Sequence, residues 1–376
     1  MELELSNLIN AKKLNPNIIF ETYSYQKDII LFKNLFKPIF GSLNVFIIIS
    51  ILIIFLFAKI TKLNNSINFT YFKNNEKHLE FFRDTQQQFC DNFHNLYNKE
   101  LEEKIILFNI NFNNINFDLF VYNNYNFLSK KTHFNQTLLE EAILNILNAI
   151  NFYTNKHKYN NSDISLIDIG ANAGWYTIFF GLFNYSVLSF EPIPEDNYIL
   201  KKNFCRNNKN YFDLSSSITI INEAIYPIET LCHYYKNMKN PDVNIILCDK
   251  RKEKNLDKNY IKIGGIKTTK MTNFIPLIND KKIILLRLDL ISEGKMILDC
   301  SKELISRYHI PFIFMQFNLS IFEIHEIRPE EFLEIFIQNG YKISLQGFLN
   351  SQFISIQELM RTNFITPNLY LVYDEN

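Results

Sequence analysis

The sequence has no C-x-x-C pair, no excess charge of either sign and only 9 glycines in 376 residues. Its five cysteines (Cys90, Cys205, Cys232, Cys248 and Cys300) lie far apart. A zinc site needs clustered ligands at fixed spacing, so no metal is expected. The odd count also argues against a framework in which every cysteine is bridged. One or two bridges in an oxidising lumen stay open, without assignment. Lys plus Arg number 39, as do Asp plus Glu. A nucleic-acid binder usually shows a basic face, and none is visible, so no nucleic-acid partner is expected. What abounds is Phe, Ile, Tyr, Lys and Asn, the bias of an AT-rich coding sequence, so runs of Asn carry little structural weight. The length suits one sizeable domain with appendages.

Between Lys37 and Lys59 no charged residue occurs, and Val45 to Ala58 is apolar except for Ser50. About 20 uncharged residues at about 1.5 Å rise cross a hydrocarbon core of about 30 Å. Residues 38–60 are therefore expected to form one transmembrane helix in a lipid bilayer. Apolar character on every face argues against an amphipathic core helix, and Phe55 to Lys59 offers no small-residue cleavage site. Lysines flank the run on both sides, so the positive-inside rule gives no orientation. A short tail (1–37) and a large following domain suggest a signal-anchor with the domain in the lumen of the endoplasmic reticulum or Golgi. Sequons at Asn64, Asn68, Asn135, Asn160, Asn184 and Asn318 permit that location.

After the anchor, residues 61–104 read as a polar helical stem and 105–160 as a lead-in. Within the lead-in, Ile105 to Tyr125 alternates apolar and polar residues and predicts a β-ribbon. Thr137 to Phe152 has helical spacing, with Thr137 as its cap. The domain proper, 161–376, contains short apolar runs at Leu166–Ile169, Val187–Phe190, Ile218–Ile221, Ile283–Leu290 and Phe312–Phe317. Helical segments at Trp175–Phe183, Pro194–Asn207 and Lys295–Tyr308 separate several of them. A helix at Pro329–Asn339 and strands at Lys342–Leu345 and Leu369–Tyr373 close the chain. This alternation predicts an α/β fold with a mostly parallel sheet and helices on both faces. Lys250 to Lys258 reads as a solvated loop, and His233, His309 and His325 lack metal-ligand spacing.

The first of these strands runs into Asp168-Ile-Gly170-Ala-Asn172-Ala-Gly174-Trp175. Ligands of open α/β sheets bind at the carboxyl ends of the strands, at the switch point, and glycine lets the backbone turn sharply there. The spacing is G-x-x-x-G, not the G-x-G-x-x-G of a pyrophosphate cradle, so a phosphate-free nucleoside such as S-adenosyl-L-methionine fits better. Asp168 and Asn172 are candidates for its methionine end. The next strand ends in Glu191, 23 positions after Asp168, close to the interval at which an acid meets ribose hydroxyls.

From about Asp163 to Gln346 the chain resembles the FkbM-type family of class I S-adenosylmethionine-dependent methyltransferases. The stretch D-I-G-A-N-x-G-x-Y-T followed by F-E-P carries the resemblance. It implies a Rossmann-like class I methyltransferase sheet of about seven strands. It also implies that Asp168, Gly170, Asn172, Gly174 and Glu191 bind cofactor, with Asn222 and Glu223 near the adenine. The family's K-x-D-x-E-G is here Arg287-Leu-Asp289-Leu-Ile-Ser-Glu293-Gly294, and the acid expected after the fifth strand is Gln316. Asp289, with Glu293 in reserve, is the implied catalytic base. The expected activity is O-methyl transfer to a hydroxyl of a glycan or small-molecule acceptor. Two other readings stay open: a catalytically weakened methyltransferase-like binding module, and a lumenal glycosyltransferase.

Overall fold

The structure is a computed structural model and describes residues 86–92, 99–122, 132–210, 214–239, 244–274, 278, 280–289, 304–317, 319–350, 352–362 and 368–374. The expected anchor at 38–60 and Glu293 lie outside these residues. Among the described residues no helix is long and apolar enough to cross a membrane.

A short helix α1 (Lys99–Glu102) leads into strands β1 (Ile105–Phe112) and β2 (Ile115–Tyr122), which pair antiparallel from Ile105–Tyr122 to Phe112–Ile115. The two linking residues, Asn113 and Asn114, have φ of 51° and 63°. Positive φ at both is the backbone of a type I′ turn, which matches the twist of the flanking strands and which Asn tolerates. The predicted ribbon is therefore present. Helix α2 (Thr132–His157) starts five residues before Thr137. Thr137 is thus inside the helix and does not cap it, because the helical spacing extends further back than the apolar face that revealed it.

The main sheet is built from β3 (Ile164–Ile169), β4 (Ser186–Phe190), β5 (Ile218–Ile221), β10 (Lys282–Asp289), β11 (Phe312–Gln316), β12 (Tyr341–Ser344) and β13 (Asn368–Tyr373). Their order across the sheet is β12-β13-β11-β10-β3-β4-β5. The five strands from β11 to β5 are parallel, and β13 runs antiparallel to both its neighbours. This is a mixed α/β fold with seven strands in its main sheet. Chain order reverses between β3 and β10, so the switch point falls where Gly170 leaves β3.

Helices α3 (Trp175–Leu182) and α4 (Pro194–Asn210) follow β3 and β4, while α5 (Leu319–Ile324), α6 (Pro329–Gln338) and α7 (Ile356–Arg361) lie in the C-terminal part. One core joins α2 and α3 to the sheet and the ribbon through Ile146, Ile150, Phe117, Phe179 and Leu166. The other joins α6 and α7 to its opposite face through Phe332, Phe336, Leu359, Ile167 and Leu286. Helices cover both faces, as the alternation implied.

Between β5 and β10 the chain builds a second sheet that the sequence pattern did not reveal. Its strands are β6 (Ala224–Ile225), β7 (Leu231–Asn237), β8 (Ile245–Leu247) and β9 (Tyr260–Thr269), in the order β6-β9-β7-β8. Lys250 to Asn255, expected as loop, forms a 3₁₀ turn with no buried residue.

Side-chain amides close two strand edges. From α4, Asn207 accepts from the Asp118 amide (2.9 Å) and donates to its carbonyl (2.7 Å). Asn203 does the same at Phe120 (2.6 and 3.0 Å). Two buried amides one helical turn apart thus act as a partner strand for β2. On β5, Gln86 accepts from the Ile220 amide (3.0 Å) and donates to the Ile218 carbonyl (3.4 Å). Residues 86–92, expected within the stem, are therefore part of the domain.

A disulfide from Cys90 to Cys205 of α4 fixes that segment, with the Cα atoms 5.3 Å apart. The Cys232–Cys248 disulfide joins β7 to the residue after β8. Replacing Cys90 and Cys205 together by serine opens a loop of 115 residues. The expected loss is about 2–4 kcal/mol of stability, read by denaturant unfolding under non-reducing conditions.

Candidate functional site

The loop after β3 turns through three left-handed residues: Gly170 (φ 80°), Asn172 (52°) and Gly174 (87°). At Gly170 a Cβ would stand 2.9 Å from Cβ of Asp289, so only glycine lets β3 and β10 run this close. Four of the loop amides are taken within the fold. Gly170 and Ala171 donate to the Phe190 carbonyl (2.9 and 3.1 Å), and Gly174 donates to that of Ala171 (2.9 Å). The Asn172 amide donates to Glu191 (2.7 Å). A cradle for pyrophosphate needs amides free and pointing at the ligand, which these four are not.

Arg287, in the middle of β10, organises the floor of the site. Its Nη1 donates to Asp168 Oδ1 (2.8 Å) and to the Gly170 carbonyl (2.6 Å). Its Nη2 donates to Asp289 Oδ2 (3.0 Å) and to Gln316 Oε1 (3.4 Å). The guanidinium also lies over the Tyr176 ring, 4.6 Å from its centre. The other oxygen of Asp168 accepts from Thr177 (2.7 Å). Asp168 is only 3% exposed, so its place is beneath the crevice, holding Arg287 and α3 in register.

Glu191, Asp289 and Glu223 line a crevice with Gly170. Both Glu191 oxygens are steered by backbone amides, Oε2 by Asn172 (2.7 Å) and Oε1 by Ile193 (2.8 Å). Each oxygen keeps a lone pair for a further donor. Burial holds the Glu191 carboxyl well above its usual range, nearby Asp196 raises it further, and the two amides oppose the rise. Asp289 is raised by burial, against the pull of Arg287. Burial also pushes Asp196, next to the crevice, up to about 7. Asn172 Nδ2 and Arg287 both bind Asp289 Oδ2 (3.0 Å each), while among the described residues Oδ1 has no hydrogen-bond partner. Carboxylates outnumber cations around this crevice, which favours a positively charged ligand.

The remaining wall is apolar: Ile169, Phe190, Ile193, Ala224, Ile225 and Ile246. Ile246 comes from β8 and packs with Cys232, Tyr234 and Ile266, so the small sheet roofs the crevice. Its free volume is about 30 Å³, room for about two waters.

The structure thus brings together Gly170, Asn172, Glu191, Glu223 and Asp289, with Asp168 and Gly174 behind them. Asn222 is exposed and does not line the crevice. Gln316 faces Arg287 from the end of β11. Sequence reasoning passed over Arg287 as an organiser and Ile246 as a wall. The signal for Arg287 was a lone cation inside an apolar parallel strand, which must be paired.

No protein-family model matches the chain, and no curated relative matches its sequence. Its structure is similar to methyltransferase FkbM from Methylobacillus flagellatus, at 13% identity and TM-score 0.34, covering 56% of this chain and 43% of that one. It is similar to WbdD, at 11% identity and TM-score 0.32, covering 63% and 39%. It is also similar to the N-terminal domain of human METTL16, at 12% identity and TM-score 0.31, covering 62% and 70%. The chain spans less than half the length of the first two.

Proposed function

We propose that this chain is an S-adenosyl-L-methionine-dependent O-methyltransferase, tethered to a membrane by residues 38–60, that acts on a hydroxyl of a glycan or small-molecule acceptor. The observation that carries the reading is the crevice at the switch point. There a glycine-turned loop, the strand-end acid Glu191 and Asp289 meet an apolar wall. The donor set fits the cofactor: carboxylates for cationic and hydroxyl groups, apolar side chains for a flat base, and no anion cradle. S-adenosylmethionine, when bound, supplies a methyl group on a sulfonium leaving group.

This chain's residues do the rest. Glu191, fixed by two amides, accepts from the ribose diol, and Glu223 with Ile225 and Ile246 borders the base. Asp289 Oδ1, without a partner among the described residues, takes the acceptor's proton while Arg287 and Asn172 hold Oδ2. The acceptor class and a lumenal setting come from the family resemblance and the sequence of the anchor. The catalytically weakened alternative is supported by Gln316, which cannot take a proton where an acid is expected.

The test is calorimetric titration of S-adenosylhomocysteine into the full chain in detergent. Glu191→Ala should weaken binding at least about tenfold, since hydrogen bonds to a charged group contribute about 1.5–3 kcal/mol each. Absence of binding to the wild type would sink the proposal, and unchanged binding in the variant would move the ribose site elsewhere. Binding without turnover across glycan and small hydroxyl acceptors would favour the weakened module.

A further inference from the structure

We infer that Asn160 and Asn184 are N-glycosylation sites, modified by a lipid-pyrophosphate-linked oligosaccharide donor, on the pole of the domain opposite the crevice. Three observations converge on this. Both residues head N-x-S sequons, Asn160-Asn-Ser162 and Asn184-Tyr-Ser186, and both are exposed. Most sequons in an Asn-rich chain arise by chance, so position in the fold has to decide which ones matter.

Asn160 stands just before the 3₁₀ turn that enters β3, in a stretch exposed from 155 to 162, and its Nδ2 donates to Asp163 Oδ2 (3.1 Å), a solvent-exposed contact that modification would replace. Asn184 sits in a left-handed turn (φ 62°) between α3 and β4. Its Oδ1 accepts from Ser217 (3.2 Å), and its Nδ2, the atom to be modified, has no hydrogen-bond partner. Surface turns of this kind leave room for a bulky, solvated substituent.

The two turns also touch. Asn161 Nδ2 donates to the Phe183 carbonyl (3.0 Å), which places both acceptors on one patch at the amino ends of β3 and β4. The crevice lies at the carboxyl ends of the same strands. Strands of five or six residues put roughly 20 Å between the patch and the crevice, so glycans there leave the crevice open.

The disulfides supply the compartment. Cys90 with Cys205 and Cys232 with Cys248 are bridged, and such bridges persist in oxidising compartments, where N-glycosylation also occurs. In the modification, Asn Nδ2 forms a bond to the anomeric carbon of the oligosaccharide. The bond from that carbon to the lipid pyrophosphate breaks, the pyrophosphate leaves with the electron pair, and the amide proton goes to a base of the transferase. The other four sequons have no described side chains and play no part here.

The full chain, expressed in eukaryotic cells, should gain mobility on treatment with peptide-N-glycosidase, with aspartate left at positions 160 and 184 by mass spectrometry. Asn160→Gln and Asn184→Gln should each remove one mobility step. Ser162→Ala and Ser186→Ala, which keep both asparagines, should do the same. Glycosidase-insensitive mobility, or a pattern unchanged in both serine variants, overturns the inference. So does free alkylation of Cys90, Cys205, Cys232 and Cys248 in the denatured, unreduced chain. None of these readouts depends on methyl transfer.

Discussion

Arg287→Met should lower the folding stability of the domain by about 3–5 kcal/mol, the usual cost of removing one partner from a buried ion pair. Arg287 and Asp168 are 5% and 4% exposed at their side chains, with Asp289 beside them. Methionine fills much of the same volume, so the loss isolates charge and hydrogen bonding from packing. Two carboxylates would then face each other across β3 and β10 with no cation between them, and the Gly170 carbonyl would lose its donor. Thermal unfolding should show a fall in Tm on the order of 10 °C. Arg287→Lys should be intermediate, because one ammonium cannot reach Asp168, Asp289, Gly170 and Gln316 at once. Asp168→Asn in the Arg287→Met background should recover part of the loss, since one of the two unpaired carboxylates is gone. A wild-type Tm for Arg287→Met would mean that the network contributes nothing to folding.

Much of this site is legible in the sequence because it depends on short spacings. Asp168, Gly170, Gly174 and Glu191 sit at strand ends, where chain order and strand length fix what meets what. The ribbon is legible through its period of two, while its turn at Asn113-Asn114 emerges from the backbone alone. Other features depend on partners distant in the chain. Asn203 and Asn207 look like members of a biased Asn-rich stretch, yet both are fully buried and complete the edge of β2. Gln86 looks like stem and closes β5. The small sheet escaped notice because β9 carries Gly264, Gly265 and exposed lysines in place of clean alternation, while β7 buries tyrosines on both sides of a register shift. The resemblance kept Asp289, placed its departures at Glu293-Gly294 and Gln316, and gave Arg287 no role. Only the register of β10 against β3, with Arg287 opposite Asp168, shows Arg287 as a structural device.

Asp289→Asn should cut methyl transfer by about 10²–10⁴-fold, the usual range for a positioned base, while changing the affinity for S-adenosylhomocysteine far less. The separation follows from the hydrogen bonds. Oδ2 is occupied by Arg287 and Asn172, and Oδ1 is the atom left for the acceptor. Asparagine can keep the first contact through its own oxygen but cannot take a proton. The raised pKa adds a second signature. Burial lifts the Asp289 carboxyl above its usual range, and only its ionised form is a base, so wild-type turnover should rise with pH as that carboxyl loses its proton. The residual rate of Asp289→Asn should lack this limb. Glu191, also raised by burial, and nearby Asp196, at about 7, titrate in both proteins, and any limb they share belongs to those two. Steady-state rates from pH 5 to 9, with kcat and KM resolved, separate the two. If Asp289→Asn turns over like the wild type with the acid limb intact, the proton goes elsewhere, and Glu293 is the next residue to replace.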